Sequence, residues 1–140
     1  MEYKKFGKTI VLRLDQGDEV LSSLSALCEK EHIRLAKVSG LGAISKATIG
    51  LLNTETHNYF SRTYEGMYEI ATLTGNITTK EEKAYFHLHI TIGNTEAEQC
   101  HSGHLNEAVI SVTGEIFVDI VDGEVGREFS PAVSLNIFKF

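Results

Sequence analysis

Three histidines in the second half of the chain could hold a divalent metal ion. His87 and His89 lie two positions apart in residues 85–92, where apolar and polar side chains alternate. Such alternation is typical of a β-strand, whose successive side chains point to opposite faces. The two imidazoles would therefore share a face. At a backbone spacing of about 6.5 to 7 Å they can converge on one ion.

A third ligand is available downstream, in residues 100–105. We favour His104, because we expect this segment to form a turn in which Gly103 permits a tight backbone approach back toward the strand. His101 and Cys100 remain alternatives. Three neutral imidazoles would leave one coordination position open on Zn²⁺ or another divalent ion, as in catalytic or sensing sites. The competing interpretation is a solvated or interface face whose imidazoles bond to backbone or water.

Glu69 is a candidate for a supporting role at the same site. It lies in a predicted strand over residues 68–77, and a buried carboxylate there would need a partner such as Arg13. It could orient a histidine or act as a base. The alternative is an exposed strand carboxylate, and the sequence leaves both open.

The elements that must position these residues are mostly strands. We predict a strand over residues 9–14, then one principal helix that is capped by Asp18 and ends near His32. Further strands are predicted over residues 35–39, 47–52, 57–63, 68–77, 86–93, 108–122 and 134–138. The pattern predicts one α+β domain over residues 1–140, with a mainly antiparallel sheet of about seven strands.

Glycine and asparagine residues are expected to form the turns between these strands. They lie at Asn76, Gly93, Asn94, Gly123 and in residues 40–42. Residues 126–129 are expected to form an ordinary solvated turn without chemistry. Because one helix covers one face of a sheet, the other apolar face favours self-association. A closed or strongly curled sheet is the alternative.

The composition of the chain limits the cellular compartments and the classes of binding partner that we expect. The chain has 140 residues and a net charge of -6, which argues against direct nucleic-acid binding. We find no export signal and no apolar run of the roughly 20 residues that a membrane span needs. The two cysteines, Cys28 and Cys100, are far apart in sequence, which fits reduced thiols and a cytoplasmic setting.

Five segments together resemble the plant and prokaryote conserved (PPC) domain. They lie at residues 13–18, 38–42, 65–70, 87–90 and 102–105. The resemblance runs nearly end to end. It implies an α+β fold, a homotrimer and a histidine-lined, metal-capable site at His87, His89 and His104. Plant sequences tend to lack these histidines, so the site would belong to the prokaryotic branch of the family.

The plant members of this family have DNA-binding features that this chain lacks. They join a similar domain to an AT-hook, an Arg-Gly-Arg-Pro segment that enters the DNA minor groove, and this chain has no such segment. Their Gly-Arg-Phe-Glu-Ile-Leu motif stands here as residues 66–71, without the arginine. Their DNA contact therefore does not carry over.

We interpret the chain as a homotrimeric metal- or small-ligand-binding module with a sensing or regulatory role. A metal-dependent hydrolase or lyase would use the same three histidines, with Glu69 as a candidate base. A DNA-associated regulatory scaffold, acting through protein partners, is the third hypothesis. The sequence specifies neither the ligand nor the metal.

Overall fold

The computed structural model describes all 140 residues, as one helix and one eight-stranded sheet. The elements in chain order are β1 (Glu2–Phe6), β2 (Thr9–Asp15), α1 (Val20–Glu31), β3 (Ala36–Leu52), β4 (Tyr59–Lys80), β5 (Lys83–Asn94), β6 (Gln99–Ile120), β7 (Gly126–Ser130) and β8 (Leu135–Lys139). All pairings are antiparallel except a short contact between β4 and β7. The predicted α+β class is confirmed, with eight strands instead of about seven.

Two of the expected turns are interior parts of long strands. β3 runs through residues 40–42, where its pairing with β4 shifts register between Gly40 and Gly42. At Gly42, φ is +150° and an added Cβ would lie 2.4 Å from the carbonyl oxygen of Thr113. The glycine therefore serves a bulge and a close backbone approach instead of a chain reversal. Asn76 also lies within β4.

The helix begins one residue later than its predicted cap. Glu19 is the N-cap, and its carboxylate accepts hydrogen bonds from the backbone N–H groups of Leu21 and Ser22. Asp18 instead accepts a bond from the backbone N–H of Asp15, in the turn before the helix. A longer acidic side chain at the next position can satisfy the same free helix donors, so the sequence signal was ambiguous by one residue.

The helix ends as predicted and packs its apolar side on the sheet. The C-cap is His32, in the left-handed conformation with φ of 54°. α1 packs on β6 and β5 through its buried residues Val20, Leu24, Leu27 and Cys28. No helix of the protein combines the length and the apolar character that crossing a lipid bilayer requires.

The sheet closes on itself in its central part. β3 pairs with both β4 and β6, and β5 pairs with the same two strands, so the four strands form a closed circuit. The buried apolar side chains of these strands, of β2 and of the helix belong to one core cluster of 24 buried residues. This is the curled-sheet alternative, and it means that the apolar face of the sheet needs no second chain to cover it. Self-association stays a prediction that must rest on other grounds.

Candidate metal centre

The two histidines of β5 share a face, as their spacing predicts. Leu88, Ile90 and Ile92 point into the core and are at most 2% exposed. His87 and His89 alternate with them on the other side of the strand, where His87 is half-buried and His89 is exposed. The core therefore fixes the side of the strand on which the imidazoles lie.

His104 reaches this pair from a strand and not from a turn. The chain reverses at residues 95–98, and residues 99–104 pair with β5 in an antiparallel ladder in which His104 is the direct partner of His89. Directly opposed side chains on one face have Cβ atoms about 4.5 to 5.5 Å apart, which is close enough for both rings to meet one ion. The expectation that residues 100–105 form a turn is wrong, because they belong to β6.

The close backbone approach expected at Gly103 is present, but the strand that it approaches is β3. Its φ is +155°, and an added Cβ would lie 2.6 Å from the carbonyl oxygen of Gly50 on β3. Its lack of a side chain lets β6 approach β3 beside His104, because Gly50 is the β3 residue that pairs with His104. The glycine thus sets the strand spacing at the site.

The three imidazoles are brought to one point. Their ligand atoms all lie within 4.8 Å of one another. The ring centroids are 4.4 Å apart for His89 and His104, 5.1 Å for His87 and His104, and 5.4 Å for His87 and His89. Small rotations would bring three nitrogens to the metal–nitrogen distance of about 2.0 to 2.1 Å that zinc prefers. We call His87, His89 and His104 the histidine face.

Burial favours the neutral, metal-binding form of two rings of the histidine face, those of His87 and His104. Burial lowers the pKa of His87 below its ordinary 6.5, and the nearby histidines and Arg127 lower it further. Burial and the proximity of His89 also lower the pKa of His104. The Nε2 atom of His87 is buried without a hydrogen-bond partner. A metal ion would satisfy this nitrogen, so the residues fit a divalent metal.

The other two candidate ligands, Cys100 and His101, lie elsewhere. His101 pairs with Ile92, on the core side of the ladder. Its ring stacks on Tyr64 at a centroid distance of 3.9 Å and meets the edge of Tyr68 at 6.1 Å. We call His101, Tyr64 and Tyr68 the aromatic stack. Cys100 is exposed and forms no disulfide bond.

Glu69 is also away from the histidine face. It is exposed and pairs with Gly93 of β5, four positions from His89, or about 13 Å of strand. The suggested partner, Arg13, instead forms ion pairs with Glu2 and Asp15. A role for Glu69 at the histidines therefore has no direct contact to support it.

A cleft of about 610 Å³ opens beside His87 and His104, and it contains a residue that the sequence did not reveal. Arg127 of β7 lines this cleft, although residues 126–129 were expected to form a solvated turn. Its guanidinium lies over the rings of Tyr85 and Phe138, at 4.9 and 4.3 Å from their centroids. Only the folding of the C-terminal hairpin back over the sheet brings this residue to the site.

The comparison with protein families gives one match. A model described as the Plants and Prokaryotes Conserved (PCC) domain matches residues 1–122. The comparison with curated proteins finds no match.

Three similar crystal structures cover almost the whole chain. A protein from Bacteroides thetaiotaomicron, provisionally named a DNA-binding protein, is 33% identical, with 99% of this chain and 96% of that chain aligned at a TM-score of 0.95. One from Ralstonia eutropha, provisionally named in the same way, is 30% identical over 99% of this chain and 95% of that chain, with a TM-score of 0.90. A metal-containing protein from Archaeoglobus fulgidus is 25% identical over 100% and 99% of the two chains, with a TM-score of 0.88.

Proposed function

The chain belongs to the Plants and Prokaryotes Conserved domain family, and we propose that it is a metal-binding module with a sensing or regulatory role. His87, His89 and His104 would hold Zn²⁺ or another divalent ion. The observation that carries the proposal is the buried Nε2 atom of His87, which has no hydrogen-bond partner and lies among two other imidazoles. An unpaired buried nitrogen costs free energy unless something binds it.

The chemistry of the three side chains favours a metal over other occupants. Neutral imidazoles suit zinc, copper, iron and nickel, and the pKa of His87 and of His104 is lowered, so protons compete less with the ion. When bound, the ion would supply a positive charge and, with three protein ligands, a free position for a small ligand. The similar protein from Archaeoglobus fulgidus is metal-containing, which supports the proposal that this chain binds a metal ion.

The test is metal analysis of the protein and two variants. We expect about one zinc ion per chain in the wild type after reconstitution and desalting, and close to none in His89→Ala. His57→Asn is the matched control. His57 lies in an exposed loop with φ of 56°, a conformation that asparagine tolerates, so this variant should keep its metal. Equal metal content in all three proteins would refute the proposal.

We also propose that the module assembles as a homotrimer. Exposed apolar side chains remain outside the closed core, and Met67 and Val112, which are 75% and 70% exposed, line one groove. Such a surface is a candidate contact between chains. The number three rests on the family resemblance. Light scattering after gel filtration should give about three times the 15.5 kDa chain mass, and a mass of one chain would refute the trimer.

DNA association is the second candidate, because two of the similar proteins are provisionally named DNA-binding proteins. The net charge of -6 opposes a direct contact with phosphates, so any such role would run through protein partners. A DNA titration at several salt concentrations separates the two cases. Direct binding would weaken steeply as salt rises, whereas a scaffold would show no binding of its own.

The third candidate is a metal-dependent hydrolase or lyase, and the cleft beside His87 and His104 is the observation in its favour. The same histidines would hold the ion. A screen of hydrolase and lyase substrates with and without chelator tests this candidate, and activity that a chelator abolishes would support it.

A further inference from the structure

Arg127 is a cation without an acidic partner. Its Nε donates to the hydroxyl of Thr78 at 2.9 Å, Nη1 donates to the backbone oxygen of Asn136 at 3.1 Å, and Nη2 donates to Oδ1 of Asn76 at 2.7 Å. No carboxylate lies within ion-pair distance, whereas Arg13 and Arg34 both pair with acidic side chains. Guanidinium has five N–H donors, so one on each terminal nitrogen is left without a protein partner.

The position of Arg127 is tied to the histidine face. Asn76, which accepts its bond, is the direct partner of His87 across β4 and β5. Thr78 is likewise the partner of Tyr85, over whose ring the guanidinium lies. Direct partners share a face of the sheet, so Arg127 stands beside His87 on the side away from His89. Three hydrogen bonds and two aromatic faces hold it there.

The cleft that Arg127, His87 and His104 line has the composition of a site for an organic anion. None of its lining side chains is a carboxylate, although the chain carries 19 aspartates and glutamates. Its volume of about 610 Å³ lies in the usual range for small-molecule sites. Much of its wall is apolar or aromatic, formed by Tyr59, Tyr85, Phe86, Leu135, Ile137 and Phe138.

We propose that this cleft binds a small organic carboxylate, with Arg127 as the anchor for the carboxylate group. The inference rests on the proposed function, because the metal would add a second positive charge at the His87 and His104 wall. The planar fork of a guanidinium matches a carboxylate, and the apolar wall suits a short hydrocarbon body. Fully hydrated inorganic phosphate gains nothing from that wall.

The anchor comes from a part of the chain outside the family match. The matched residues end at 122, whereas Arg127 and the residues of β8 that line the cleft follow later. The β7–β8 hairpin therefore adds a specificity element to a core that carries the histidines. Arg127 acts here only by binding the carboxylate group and takes part in no chemical step.

The test measures the binding of butyrate to zinc-loaded protein by calorimetry. Butyramide, which has nearly the same shape and no charge, and inorganic phosphate are the comparison probes. We expect butyrate to bind at least about ten-fold more tightly than either. This comparison needs only the wild type. Histidine-labelled protein locates the site by NMR, and we expect butyrate to shift the imidazole signals of His87 and His104.

The variant Arg127→Gln should weaken butyrate binding at least about ten-fold while keeping its zinc. Arg62→Gln is the matched control, because Arg62 also lies over a ring, that of Tyr64, but outside the cleft. It should bind butyrate like the wild type. Circular dichroism checks that both variants are folded.

The outcomes separate the anchor from the metal site. Normal zinc content with equal affinity for butyrate and butyramide would overturn the anchor and leave the metal site standing. Tighter binding of phosphate would overturn the organic-carboxylate class. A protein that takes up no zinc would refute the proposed function, whereas butyrate binding that still depends on Arg127 would support the anchor by itself.

Discussion

His101 and His104 lie three positions apart on β6, and since three is odd they point to opposite faces of the strand. His104 joins the histidine face, where buried nitrogen is left unpaired. His101 joins the aromatic stack, where the ring of Tyr64 covers it at 3.9 Å. One residue type, on one strand, thus has a different environment on each face. A histidine therefore becomes a candidate ligand through its neighbours in space and not through its proximity in sequence.

The largest difference between the two regions should be in metal affinity. His104→Ala removes one of the three proposed ligands, and we expect zinc affinity to fall by at least about 1,000-fold, or ~4 kcal/mol. His101→Ala should bind zinc like the wild type, because its ring is stacked on the other side of the ladder. Competition with a chromophoric chelator measures both. Equal losses in the two variants would contradict the separation of the regions.

A second prediction concerns Gly103, which lies between the two histidines and affects both regions. Gly103→Ala combines a positive φ with a Cβ placed 2.6 Å from a backbone oxygen, so we expect a loss of about 3 kcal/mol in unfolding free energy. Gly123→Ala is the control, since Gly123 has φ of +125° but no atom within 4 Å of an added Cβ. It should cost about 1 kcal/mol. Similar urea midpoints for the two variants would show that the close approach does not matter.

A third prediction uses the lowered pKa of His87 in metal-free protein. The unfolded chain takes up a proton near pH 6.5, whereas the folded chain does so only at lower pH. In that window the unfolded state binds more protons, so stability should fall as pH drops below about 6.5. His87→Gln should reduce this fall, which urea unfolding between pH 5 and 8 measures. An unchanged pH slope in the variant would contradict the buried, neutral state of His87.

The smallest effect should be in the aromatic stack itself. A double-mutant cycle of His101→Ala and Tyr64→Leu should give a coupling of about 0.5 to 1.5 kcal/mol, the usual contribution of a stacked pair. Zinc content should not change in any of the three variants. A coupling near zero would mean that the two rings pack without a specific interaction, and a loss of zinc would mean that the two faces communicate.

The local features of the fold were predictable from the sequence. The alternation around His87 and His89 gave the correct face, and the period of the apolar residues gave α1 and its end at His32. The turns predicted at two glycines were wrong, because Gly42 permits a bulge and Gly103 permits a close strand contact within continuous strands. A glycine signals an unusual backbone in both cases, and the sequence does not say whether that backbone turns or continues.

The alternating residues of β5 are enough to fix the side of the strand on which two imidazoles lie, because strand alternation is a local property and burial of Leu88 and Ile90 leaves only one arrangement. The positions of His104 opposite His89 and of Arg127 beside His87, by contrast, follow from the pairing of distant segments. Those positions depend on strand register, on closure of the sheet through β5 and on the return of the C-terminal hairpin. Each of these features is favoured by many packing and hydrogen-bond contacts between distant segments. No short sequence motif encodes the sum of those contact energies.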